Sequence, residues 1–201
     1  MQGIKLKILI IGAGGGREHA IGWKIAQSPR AGKIFFAPGN AGTAQIGINL
    51  DIKGTDIFSL LNFAEKESID LTLVLADDPL AAGVVDEFRK ANLRVFGSTK
   101  AASKIEWSKS FSKDFMRRHN LPTAKFEIFS NLEKAQKYIK DLSFPIVIKA
   151  DGLALGKGVV IAQDLAEAKE TLENIMVKKI FGESGREVVI EEFLTGPEFS
   201  I

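Results

Sequence analysis

The stretch IVIKADGLALGKGVV, Ile146 to Val160, decides how the second half of this chain is read. A run suited to a strand, Ile146–Lys149, ends in a lysine. A loop carrying Gly152, Gly156, Lys157 and Gly158 follows, and a second β-branched run opens at Val159. A lysine at the end of a buried strand is costly unless an anion compensates it. Glycines let successive backbone N–H groups wrap phosphate oxygens. An ordinary hairpin needs only a two-residue turn, and Asp151–Gly158 is far longer. The loop G-x-x-x-x-G-K-[ST] does not fit either, because Val159 follows Gly158 and no helix begins there. The pattern predicts a nucleoside triphosphate held between strands.

Outward from this stretch the second half reads as α+β. Val159–Ala162 is a strand, and Asp164 with Glu167 resembles a capping box opening a helix along Leu165, Ala168, Leu172 and Ile175. Glu187–Ile190 is a strand that runs into Glu191-Glu192-Phe193-Leu194, and it is expected to lie at an open edge for want of sheet neighbours. Glu191 and Glu192 alternate to opposite faces of it. Toward the amino terminus, Asn131 caps a helix carrying Leu132, Ala135, Tyr138 and Ile139, and Lys125–Phe129 is a strand. Ala101–Arg118 is expected to be helical throughout, rich in lysine and serine.

The first half alternates strands and helices. Strands Leu6–Ile11, Lys33–Ala37, Leu71–Leu75 and Arg94–Phe96 flank a helix over about Arg17–Ser28, stopped by Pro29, and another along Ile57, Leu60, Leu61 and Ala64. Asp78 is expected to cap a helix starting at Pro79, with Leu80, Val84, Val85 and Phe88 inward. Repeated βα units imply a parallel sheet with right-handed crossovers and ligands at the carboxyl ends of its strands. The loops Gly12–Gly16, Pro38–Gly42 and the acidic Asp77-Asp78 fall at those ends. A dinucleotide fingerprint is not met. From Gly12 its last glycine position is Arg17, and the second strand ends in Ala37-Pro38 rather than in an acidic residue. The domain boundary is placed near residue 100, giving 1–101 and 102–201, with a small lobe at about 124–190.

Composition narrows the function classes. The 201 residues carry 45% hydrophobic side chains and a net charge of +2, without a long basic run that would favour nucleic acid. There is no cysteine, hence no disulfide, thiolate metal site or cysteine nucleophile. The apolar run Ile8–Ile11 is too short for a signal segment and no stretch reaches membrane-spanning length, so a cytoplasmic location away from membranes is expected. His19 and His119 are the only histidines and lack a metal-ligand partner at helical spacing.

Lys149–Val159, taken with Val189–Leu194, resembles the nucleotide site of ATP-grasp ligases. The segments Gly14–Ala20, Ala37–Thr43, Ser108–Phe115 and Ile148–Ala154 narrow the resemblance to the phosphoribosylamine–glycine ligase family, in order along the whole chain. The resemblance implies an α/β fold: an amino-terminal Rossmann-like parallel sheet, the pre-ATP-grasp domain, then an incomplete α+β ATP-grasp domain. It implies an ATP-dependent enzyme of purine biosynthesis, whose small-molecule partners are ATP, glycine and 5-phosphoribosylamine, with Mg2+, and a monomer at full length. ATP would phosphorylate the glycine carboxylate, and the amine would attack the acyl phosphate. By the same resemblance Lys109 and Lys149 reach the phosphates, and the loop with Gly152, Gly156, Lys157 and Gly158 closes over them. Glu191, Phe193 and Leu194 would meet the adenine and Glu198 the ribose hydroxyls. The amine substrate would face Gly14, Gly15, Gly16, Arg17, Glu18, Asn40, Asp77 and Pro79.

The chain also departs from the family. Leu75-Ala76-Asp77 stands where Gly-Pro-Glu is usual, Ser98 where proline is, Trp107 where glycine is, and the first glycine loop is one residue longer. A ligase for a different amine, or a non-catalytic nucleotide-binding fragment, are the alternatives. Family members are about twice as long, which implies that the Mg2+ carboxylates lie beyond Ile201, with no metal ligands expected in this stretch.

Overall fold

The computed structural model describes residues 5–154 and 157–199. The chain divides into two compact units, Met1–Ser103 and Lys104–Ile201.

The first unit is a five-stranded parallel sheet. Its elements run β1 (Leu6–Ile11), α1 (Gly16–Ala26), β2 (Ala31–Ala37), β3 (Ile48–Asn49), α2 (Ile57–Lys66), β4 (Leu71–Val74), α3 (Asp77–Ala82), α4 (Val84–Lys90) and β5 (Val95–Phe96). The strand order is β3-β2-β1-β4-β5, every neighbouring pair parallel. The chain therefore leaves β1 in one direction to β2 and returns to its other side at β4. That reversal opens a crevice beyond the carboxyl ends of β1 and β4. Alternation along β1 and β2 supplies two cores. Leu9, Ile11, Phe35 and Ala37 pack with Leu60, Ala64, Val84, Val85 and Phe88 of α2 and α4. Ile8, Ile10, Ile34 and Phe36 pack on the other face with Ile21 and Ile25 of α1. Buried on both sides, these strands read as continuous apolar runs.

Two expectations are corrected here. Helix α3 begins at Asp77, with Ala76 rather than Asp78 at its N-cap and no side-chain cap bond. The apolar positions Leu80 to Phe88 do not lie on one helix, because Gly83, at φ 97°, ends α3 and starts α4. Glycine takes that left-handed backbone without the steric cost a Cβ brings. The two-residue β3 carries too little periodicity to be seen in sequence.

Helix α5 (Lys100–Trp107) straddles the division of the chain, and the second unit continues with α6 (Lys109–Arg118), β6 (Phe126–Phe129), α7 (Leu132–Tyr138), β7 (Ile146–Ala150), β8 (Val159–Ala162), α8 (Leu165–Met176) and β9 (Val188–Glu192). The expected single helix over 101–118 is two helices. Ser108 is extended and its side chain accepts from Phe111 N, restarting the chain as α6. The four strands form an antiparallel sheet in the order β6-β9-β7-β8. The late strand is thus not an edge: β9 pairs with β6 on one side and β7 on the other. Its partners are both earlier in the chain, so no later segment is needed to cover it. Ile146, Ile148, Ala150, Val188 and Ile190 face α7 and α8, whose Ala135, Ile139, Ala168, Leu172 and Ile175 complete the core.

In the first unit Gly54 lies against the Gly12 backbone, so a Cβ there would run into the Gly12 carbonyl oxygen and come within 3.1 Å of Pro79. Gly16, the first residue of α1, has nothing within 4 Å of such an atom. Gly54→Ala is expected to cost about 2 kcal/mol of stability by overpacking, whereas Gly16→Ala is expected to cost none, since alanine is the better helix former. Differential scanning calorimetry of both variants checks the contrast; equal transition temperatures would contradict it.

Candidate functional site

In the first unit the loop after β1 is built by its own hydrogen bonds. Glu18, one turn into α1 and 5% exposed, accepts from Ala13 N at 2.9 Å and Gly15 N at 3.0 Å. Its carboxylate therefore holds the glycine loop in shape rather than facing outward. Asn40, in the loop after β2, donates from Nδ2 to Gly14 O and Gly15 O at 3.0 Å each. Its Oδ1 accepts from Gly42 N and Thr43 N, at 2.8 and 3.0 Å. Arg17 donates from Nη1 to Leu75 O at 2.7 Å and lies 3.8 Å from Asp77 Oδ1, joining the start of α1 to the loop after β4. Gly14, Gly15, Gly16, Arg17, Glu18, Asn40 and Asp77 are thereby brought together at one end of the sheet. A cleft of about 220 Å3 opens at the strand ends, with Gly12, Ala13, Lys53, Asp78 and Pro79 in its wall. Lys53 went unnoticed in the sequence because it sits alone in a loop with no motif around it. The two histidines pack: His19 lies against Gly42, and the ring of His119 is 4.3 Å from that of Phe115.

The second unit assembles its charged groups on the sheet face away from α7 and α8. Register places Val147 opposite Glu191 and Lys149 opposite Val189, so Lys149 and Glu191 are diagonal neighbours on one face. Lys149 Nζ donates to Glu191 Oε2 at 2.8 Å. Glu191 is 5% exposed, and its Oε1 lies 3.2 Å from Lys113 Nζ, an ion pair without the alignment of a hydrogen bond. Lys113 comes from α6, which packs on β9, and also donates to Thr123 Oγ1 at 2.6 Å. The anion that compensates Lys149 is thus a protein carboxylate. Glu191, expected at the adenine, has its carboxylate engaged by two lysines.

Lys109, the first residue of α6, donates from Nζ to Gly152 O at 2.9 Å. Burial holds its ammonium below the ordinary lysine range; the charge of Asp151 opposes that shift and the charge of Lys149 adds to it. Lys109, Lys149, Gly152 and Glu191 therefore form one cluster. Lys157, Phe193, Leu194 and Glu198 are exposed and, among the described residues, make no side-chain hydrogen bond or ion pair. Gly158 is buried, its carbonyl accepting from Ala150 N at 2.8 Å. Gly156 lies outside the described residues. Three contributors were missed in the sequence. Lys113 reads as one of several lysines on α6. Ser108 and Asp151 meet across 43 positions, although the triplet Ser108-Lys109-Ser110 does carry the N-cap residue type that could have marked a helix start. Among the described residues, no group of three histidine, aspartate or glutamate side chains converges as a metal site, and no helix is long and apolar enough to cross a membrane.

A parallel sheet with its loops gathered at a reversal of strand order, followed by an antiparallel lobe with a glycine loop and lysines on one face, defines an ATP-grasp ligase architecture. Solved structures agree: N5-carboxyaminoimidazole ribonucleotide synthetase in an ADP complex matches over 95% of this chain and 48% of its own, with a TM-score of 0.69 at 20% identity. More narrowly, the chain belongs to the phosphoribosylglycinamide synthetase family. Residues 6–106 match the family's N domain and residues 107–201 its ATP-grasp (A) domain. The phosphoribosylamine–glycine ligase of Haemophilus influenzae is 52% identical over 197 residues, which are 97% of this chain and 46% of that protein. The crystal structure of phosphoribosylamine–glycine ligase from Thermotoga maritima matches with a TM-score of 0.75 at 34% identity, over 96% of this chain and 45% of that one. The chain spans about half the length of the curated relatives it matches.

Removing one partner from a buried ion pair leaves the other charge without compensation. Glu191→Ala strands Lys113 and Lys149 and is expected to destabilise the second unit by about 3 kcal/mol. Urea unfolding followed by Trp107 fluorescence in a Trp23→Phe background measures it, since Trp107 belongs to this unit. An unchanged midpoint would show that Glu191 does not serve as their counter-ion.

Proposed function

We propose that the protein at its natural length joins glycine to 5-phosphoribosylamine with consumption of ATP, giving glycinamide ribonucleotide in de novo purine biosynthesis. The observation that carries this reading is the cluster of Lys109, Lys149 and the glycine loop, set in a chain that matches one ligase family from end to end. In this reaction a glycine carboxylate oxygen attacks the γ-phosphorus of ATP, ADP leaves, and glycyl phosphate forms. The substrate amine nitrogen then attacks the acyl carbon, the bond to the phosphate oxygen breaks, and inorganic phosphate and a proton depart. Phosphoryl transfer asks little covalent work of side chains; positioning and charge neutralisation dominate.

The residues divide accordingly. Lys109, Lys149 and Lys157 neutralise the phosphates, and the amides of Gly152, Gly156 and Gly158 cradle them. Phosphate oxygens compete with Glu191 for the Lys149 ammonium, so Glu191 holds that side chain in place until the nucleotide enters. Beside it, Phe193 and Leu194 offer an exposed apolar surface to the adenine, and Glu198 accepts from the ribose hydroxyls. In the first unit Arg17 and Asp77 hold the amine substrate beside Pro79. The amides of Gly14, Gly15 and Gly16 face it, and Glu18 and Asn40 keep their loop in register. Mg2+ belongs to this reading; among the described residues no group of three or more metal-binding side chains converges. A monomeric cytoplasmic enzyme fits the reading.

Lys149→Ala is expected to weaken ATP binding by at least about 2 kcal/mol, the scale of a lost charge-assisted contact, and to change glycine binding much less. Isothermal titration of the full-length protein measures both. An unaltered ATP affinity would remove Lys149 from the nucleotide site.

A further inference from the structure

We propose that Asp151 is a positioning residue for the nucleotide phosphates: its carboxylate pins the start of α6 to the root of the glycine loop and so aims the Lys109 side chain. This rests on the reading that Lys109 meets those phosphates, and it adds a residue to which neither motif nor spacing gave a role.

The loop root is tied at three consecutive residues, the first two to the start of α6 and the third to Ser184. Asp151 Oδ1 accepts from Ser110 N at 2.9 Å, and both its carboxylate oxygens lie 3.2 Å from Ser108 Oγ. Gly152 O accepts from Lys109 Nζ at 2.9 Å. Leu153 O accepts from Ser184 Oγ at 2.7 Å. Lys109 therefore stands between two residues that Asp151 holds, and the tip of its side chain returns to the residue after Asp151. Backbone and ammonium are fixed from the same loop.

The bond is not needed merely to begin a helix. Ser108 already caps α6 by accepting from Phe111 N at 3.2 Å. Asp151 adds a full negative charge at the positive end of the α6 dipole, which is the favourable sense. It also acts on the Lys109 ammonium, where its charge opposes the combined effect of burial and of Lys149. A lysine on a flexible four-carbon stem has many rotamers. One that must meet a phosphate benefits from being held near its working position before the ligand arrives. Asparagine at this site would keep an acceptor for Ser110 N but lose the charge.

The test is a double-mutant cycle in the full-length protein with Asp151→Ala, Asp151→Asn and Lys109→Met, reading ATP and AMP affinities by isothermal titration. Asp151→Ala is expected to weaken ATP about tenfold, the scale of one charge-assisted contact displaced, and to leave AMP binding unchanged. Asp151→Asn should recover part of the loss, and Asp151→Ala combined with Lys109→Met should bind ATP no more weakly than Lys109→Met alone. Additive losses, or equal weakening of ATP and AMP, would overturn the proposal and leave Asp151 a purely structural residue. If Lys109→Met alone leaves ATP affinity intact, the assignment of Lys109 to the phosphates has failed first, and the proposal falls with it. Should thermal melting show Asp151→Ala unfolded, the same cycle run with Asp151→Asn decides, because the loss of charge alone must then reproduce the coupling.

Discussion

The diagonal pairing of Lys149 with Glu191 across β7 and β9 is the constraint on which the second unit turns. A lysine on the inner part of a sheet needs an anion within hydrogen-bond reach, and among the described residues β9 is the neighbouring strand that delivers one in this register. The pairing of β9 between β6 and β7 therefore does two things at once. It puts Val188 and Ile190 into the core with α7 and α8, and it puts Glu191 on the opposite face beneath α6. Lys113 then joins from α6, and the carboxylate sits between two cations. Both lysines are thereby drawn to one point.

The first unit solves a different problem. Its loops contain so many glycines that chain entropy opposes any single shape. Glu18 and Asn40 spend their polar atoms on loop backbone and supply that shape. Two residues that look like ligand contacts in a motif thus act as internal fasteners. Arg17 and Asp77 remain more than half and more than a third exposed at the side chain, at the crevice that the reversal of strand order creates. The division of labour is between groups that hold the loop and groups that face out of it.

Both units repeat one strategy. Charged side chains at strand ends are held by partners of the protein's own, and the loops between them are tied at their roots. Gly152 and Leu153 are bonded to Lys109 and Ser184, whereas Lys157 at the other end of the same loop is exposed.

By itself the sequence determined the alternation of βα units in the first half, the two strands around the glycine loop, and the family, because those depend on local periodicity and on motifs read in order. It also placed Glu191 and Glu192 on opposite faces, a consequence of the two-residue period of a strand. What it left undecided were the breaks at Gly83 and Ser108: a glycine and an N-cap residue type stand there, but that they interrupt an otherwise helical run was decided by the left-handed backbone of the one and the cap bond of the other. The place of β9 in the middle of its sheet, the partner of Lys149 and the link from Asp151 to α6 were decided by tertiary structure alone. Each joins residues tens of positions apart, and cross-strand register and helix docking leave no periodic trace in the chain that would announce them.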